Sequence, residues 1–192
     1  MDLLLDILQG LGLAVACGLS PVLPALVAGA MGAADAGIDF GGTAFEFLEE
    51  PWFLLVLAVL LVATSLARLR YADRLDVGPT GIAFGALLFA GSLDDRHDTW
   101  WYGLVLGGLV AAGTFVVVRT LVGRVRDRFA RQGDARAAAA LPVYTDGAGG
   151  TGAALSVALP PLGALLTAFV AVLGVRQRRQ GERKYAGLRI LR

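Results

Sequence analysis

One histidine, one cysteine and one lysine occur among the 192 residues, and each scarcity removes a class of chemistry. Cys17, set in an apolar run, has no partner for an internal disulfide. His97 alone leaves no Ser/His/Asp or Cys/His set to assemble, and neither HExxH nor CxxC occurs. No enzyme activity, cofactor or metal is therefore expected. The net charge is only +1, and no nucleic-acid partner is expected. Long polar stretches are missing as well, so no part of the chain outside its apolar blocks can bury a core of its own. Met1-Asp2 places no basic residue ahead of the first apolar stretch, which reads as structure rather than as a cleaved signal.

What is abundant is apolar. Hydrophobic residues make up 56% of the chain, with 26 glycines in addition, and the mean hydropathy is +0.67. Soluble domains are about 45–50% apolar even when glycine is counted. A chain this rich would leave large apolar patches in water; lipid is its natural solvent.

Five apolar blocks follow: about 3–34, broken near 20; 51–70; 77–93; 100–123; and 151–175, broken near 160. The second, PWFLLVLAVLLVATSLARLR, covers roughly 30 Å at ~1.5 Å per residue, one hydrocarbon core. Trp52 and Phe53 open it, and Trp100-Trp101-Tyr102 opens the fourth, as interfacial aromatics do. Asp146 to Gly150 reads as a flexible entry to the last block. The expected fold is a single all-α polytopic transmembrane bundle with short, proline-broken hairpins at both ends. The hairpin arms, roughly 12–16 residues, are either re-entrant or cross a thinned bilayer.

Charge sets the expected orientation. Ten carboxylates and one basic residue, Arg96, fall in the segments before 34, from 35 to 50 and from 94 to 98. The other sixteen basic residues follow blocks two and four or lie in the tail. Basic loops face the cytoplasm. Blocks two, three and four cross three times, so block four ends inside, as does the tail. Block five must therefore turn back, with Pro160-Pro161 as its apex. Block one, broken at Ser20-Pro21, reads as a similar hairpin with both ends outside. The expected location is the cell (inner or plasma) membrane, multi-pass, with a cytoplasmic C-terminus.

Helix breaks in a membrane free backbone groups that protein, water or a ligand must satisfy. Gly18, Ser20, Pro21 and Pro24, with Ser156, Pro160 and Pro161, are thus the candidate solute-binding residues; a kink capped by Ser20 or Ser156 is the structural alternative. Arg119, Arg124, Arg126 and Arg128 are candidates for anion or lipid-headgroup contact, with snorkelling and topology signalling as the alternatives. Gly81, Gly85, Gly103 and Gly107 form small-xxx-small pairs that serve bundle packing or a seam between copies. Asp6 and Gln9 interrupt the first apolar run, and the loop from Asp94 to Asp98 reads as a solvated acidic turn. A shift of 95 residues matches seven of the 18 positions from Gly12 to Gly29 with block four. That echo is either chance among Gly, Ala, Val and Leu or a duplicated unit, inverted or not, as in transporters.

The segments GLGLAVACGLSPVLPALVAGAMG, FEFLEEPWFLLVLAVLL, GIAFGALLFAGSL and LVLGGLVAAGTFVVVRTLVGR, with the proline-hinged pair before a basic tail, resemble a bacterial membrane family known as domain of unknown function 4126. The resemblance covers most of the chain and implies its fold and membrane location; it supplies no reaction. It also implies a carboxylate late in the second helix and an acidic pair before the last hairpin. Here those places hold Thr64-Ser65 and Gly/Ala-rich residues. Two functions remain: a small transporter or channel-like protein for a solute or lipid, working as an oligomer, or a non-catalytic accessory protein assembling with other membrane proteins. A reporter fused after Arg192 is expected to be active only as a cytoplasmic fusion, and activity confined to the opposite face refutes the orientation.

Overall fold

The computed structural model describes residues 3–70, 78–94 and 100–186. Seven α-helices and a 3-10 turn, with no strand among the described residues, make up the chain: α1 Leu3–Leu19, α2 Leu23–Gly32, the turn Glu46–Leu48, α3 Pro51–Arg70, α4 Gly78–Asp94, α5 Trp100–Arg131, α6 Ala135–Ala158 and α7 Pro160–Ala186. Three of them, α3, α5 and α7, are long and apolar enough to cross a membrane. The loop from Asp95 to Thr99, with His97, lies outside the described residues, as do Arg74, Val77 and the tail from residue 187.

α1 is the axis of the molecule. Gln9, Gly10 and residues 12–18 are all buried, and α4, α5, α6 and α7 surround it. Lipid offers no hydrophobic force to drive helices together, so they associate by close packing at small residues. Gly10 faces the Phe89 ring, Gly12 faces Ser156 and Gly163, and Gly18 lies under Thr114 and the Ala111 carbonyl. α4 and α5 answer in kind. A Cβ on Gly81 would stand 2.5 Å from the Cys17 carbonyl oxygen, and one on Gly103 would stand 2.7 Å from the Ala90 Cα.

These contacts fix the directions. Gly10 and Gly103 both meet Phe89, whereas Gly18 meets Thr114, so α1 and α5 run parallel and α4 antiparallel. Gly12 meets both Ser156 and Gly163, which sets α6 against α1 and α7 alongside it. The Gln9 Nε2 donates to the Gly37 carbonyl (3.0 Å), so the chain after α2 has returned to the end where α1 begins. The odd-numbered helices thus run from the end holding Asp35, Asp39, Glu46, Glu49 and Glu50 to the end holding Arg68, Arg119 and Arg176, and the even-numbered ones return. The parallel course of α1 and α5 gives the sequence echo no inverted relation, and α5 has no break to match Ser20–Val22.

Three expectations need correction. α5 does not stop near Gly123 but continues through GRVRDRFAR to Arg131, because arginine is a good helix former and Gly123 has open space around it. The stretch from Asp146 to Gly150 is no flexible entry; it is helical within α6. Gly149 and Gly150 pack on Ser20, Pro24 and Leu23, and that packing overrides glycine's weak helix propensity. The last hairpin therefore has arms of 24 and 27 residues rather than short re-entrant ones. α6 starts at Asp134, whose carboxylate accepts from the Ala137 N–H (3.0 Å). Its turn is the single residue Leu159, and Pro160 and Pro161 are the first residues of α7, where a missing N–H is harmless.

Gly103→Ala, which would force the α4 backbone aside, is expected to lower stability by about 1–3 kcal/mol. Gly113→Ala, with nothing within 4 Å, is expected to be neutral or to gain up to ~1 kcal/mol. Thermal unfolding of the two variants in detergent, followed by tryptophan fluorescence, checks the contrast.

Candidate functional site

Four of the sequence-derived candidates meet at one place, the break between α1 and α2. Pro21 and Pro24 are the reason the helix cannot continue: residue 21 would donate to the Cys17 carbonyl and residue 24 to that of Ser20, and proline has no N–H. The Ser20 N–H still donates to the Ala16 carbonyl (3.0 Å). Its hydroxyl, only 1% exposed, has no hydrogen-bond partner. Gly149 of α6 closes over it, with a Cβ there falling 2.9 Å from the Ser20 Cβ, and Gly18 seats the turn against α5.

The other three candidates are elsewhere. Ser156 lies inside α6 and its Oγ donates to the Gly152 carbonyl (2.7 Å), so it is satisfied by its own helix. Pro160 and Pro161 follow Leu159 at the acidic end, where the neighbouring Val157 carbonyl meets Gly37. The two breaks lie toward opposite ends of the bundle and do not share a site. Neither Ser20 nor Ser156 caps a helix.

Two of the best-formed hollows lie on the outside. One is an open cleft of about 270 Å³ lined by Asp35, Glu46, Glu49 and Glu50 at the acidic end. Glu49 is occupied there, accepting from the Phe40 N–H (3.2 Å), and no group of three or more metal-binding side chains occurs among the described residues. The other is an apolar groove of about 430 Å³ along α3, lined by Leu55, Ala58, Val59, Val62, Ala63 and Leu66.

Gly81, Gly85, Gly103 and Gly107 are buried where α1, α4 and α5 touch. They are bundle contacts, and a seam between copies has to use another face. The Arg119 guanidinium lies 5.7 Å from the Phe115 ring centroid, while Arg124, Arg126 and Arg128 are exposed on the basic extension of α5.

The sequence reading missed one pair. The Arg68 Nη1 donates to the Asp146 Oδ2 at 2.9 Å, with side chains 22% and 19% exposed, tying the basic end of α3 to α6. The signal was present: Asp146 is the sole carboxylate between Asp134 and Glu182, and a lone charge in an apolar stretch requires a partner. Thr64 and Ser65, which stand where a carboxylate was expected, donate to the Leu60 and Leu61 carbonyls of their own helix.

A helical bundle with three helices able to cross a membrane and two ends of opposite charge has the build of a polytopic membrane protein. The chain matches the family described as Domain of unknown function (DUF4126) over residues 7–180, from α1 into α7, and belongs to it. No curated protein and no solved structure matches it.

Arg68→Leu and Asp146→Leu are each expected to cost about 1–3 kcal/mol by leaving a half-buried partner unpaired. The double variant is expected to recover much of that loss. Unfolding midpoints of the four proteins form the cycle that checks this.

Proposed function

We propose that this protein is an accessory membrane subunit of the cell membrane, basic end in the cytoplasm, that docks a neighbouring membrane protein along α3. The observation that carries the reading is the contrast between α1 and α3. α1 is buried at Gln9, Gly10 and residues 12–18, and fills the axis where a passage would run. α3 finds its main neighbours in the ten-residue α2 and the 3-10 turn, plus Asp146 at its far end. Its opposite face presents Leu55, Val59, Val62 and Leu66, all exposed, around the small Ala58 and Ala63. Small residues set among branched ones let another helix approach closely. Between transport and assembly, a centre packed by α1 and a side helix with an exposed face favour assembly. The partition of basic and acidic residues between the two ends supports the orientation.

Cross-linking in native membranes tests the docking. Cys17 is buried, so an added thiol is the one that reports. Ala58→Cys and Val62→Cys, treated with a short bis-maleimide at native expression, are expected to yield a discrete heavier adduct. Val116→Cys on the exposed face of α5 is expected to yield none. Equal labelling at both faces, or no adduct from α3, refutes the role; the adduct's mass tells a second copy from a different protein.

A further inference from the structure

We propose that the α1–α2 break binds a small monovalent cation of the sodium, lithium or potassium class, ligated by the oxygens at the end of α1. The argument begins with donors and acceptors. The last four carbonyls of any helix lack intrahelical donors. At this end Pro21 and Pro24 subtract the two N–H groups that a continuing chain would offer Cys17 and Ser20. The Ser20 N–H is already engaged by the Ala16 carbonyl. Val22, Leu23 and Ala25 bring N–H groups to the start of α2, but Pro21 and Pro24 bring none, against the carbonyls of residues 17 to 20 and the Ser20 hydroxyl. Acceptors are in excess.

The Ser20 hydroxyl adds the independent observation: an oxygen 1% exposed, at the break, with no partner. Thr114 of α5, also buried, packs its Cβ and methyl group on Gly18 beside the break. Orphaned oxygens at the negative end of a helix form a cation's coordination set, and broken membrane helices bind sodium through such carbonyls. A divalent ion needs carboxylates, and no candidate group of them occurs among the described residues. Asp146, one turn before Gly149 on α6, is held by Arg68. An anion would meet an excess of acceptors. The ion's task is to hold α1, α2 and α5 together at a break that no side chain caps, and the inference does not depend on the docking face of α3.

The full-length protein in lipid nanodiscs is unfolded thermally in choline chloride, with sodium, lithium or potassium chloride substituted at constant ionic strength. The expected result is a saturable rise of about 2–4 °C or more with at least one of the three. Ser20→Ala is expected to abolish that rise, whereas Ser156→Ala, whose hydroxyl serves only its own helix, retains it. Identical melting in choline and in all three cations means that water alone fills the break, and sinks the proposal. A rise that survives in Ser20→Ala does the same by placing the ion elsewhere. Should Ser20→Ala not fold, titration calorimetry of the wild-type protein with the stabilising cation decides: one site per chain supports the assignment, and no binding overturns it.

Discussion

A backbone in lipid must satisfy its polar groups internally, and its helices attract one another only through contact. Both demands converge on α1. Its glycines at 10, 12 and 18 remove the side chains that would hold α4, α5 and α7 away, and Gly81, Gly85 and Gly163 do the same from the other side. The result is a rod of backbone against backbone at the molecular axis. The alternation of helix direction follows from it, because each later helix packs on α1 or on a helix that does.

Opposite charge at the two ends is the second organising feature. Arg119 lies over Phe115 at one end, while Trp52, Trp100, Trp101 and Tyr102 are exposed at the other. Ring and guanidinium positions bracket an apolar belt spanned by α3 in one pass. Arg68 and Asp146 reveal where that belt ends on α6. A carboxylate twelve residues into a helix is tolerable in this protein because its neighbour is an arginine 2.9 Å away, near the basic rim. The first half of α6 and the arginine-rich extension of α5 then belong together beyond the belt, joined by the turn at Gly133 and the Asp134 cap.

How much of this was legible varies with the physics at each position. α3 was readable because nothing competes with its apolar length between Pro51 and Arg70. The break at Ser20–Val22 was readable because proline acts locally. α6 was not, because its stretch from Asp146 to Gly150 has the composition of a loop and is held helical by contacts with Ser20, Leu23 and Pro24, far away in sequence. The pairing of Arg68 with Asp146 was hidden by the same error, since a carboxylate in a supposed loop raises no question. Ser20 was marked by its place at the proline break, but its hydroxyl could not be known to be orphaned until α6 was seen to close over it.

Close packing and an orphaned hydroxyl are in tension, and the tension is informative. Where Gly12 meets Ser156, the hydroxyl has the carbonyl four residues back in its own helix, and packing is complete. Thr64, Ser65, Thr120 and Thr167 use the same device. Ser20 does not: its N–H donates to the Ala16 carbonyl as in a continuing helix, yet its hydroxyl makes no such bond. Among the described residues the Ser20 hydroxyl is the buried polar side-chain atom left without a partner, and it lies where α1, α2 and α6 meet. Under the cation proposal, a group held there braces the break between α1 and α2, where Gly149 of α6 closes over Ser20.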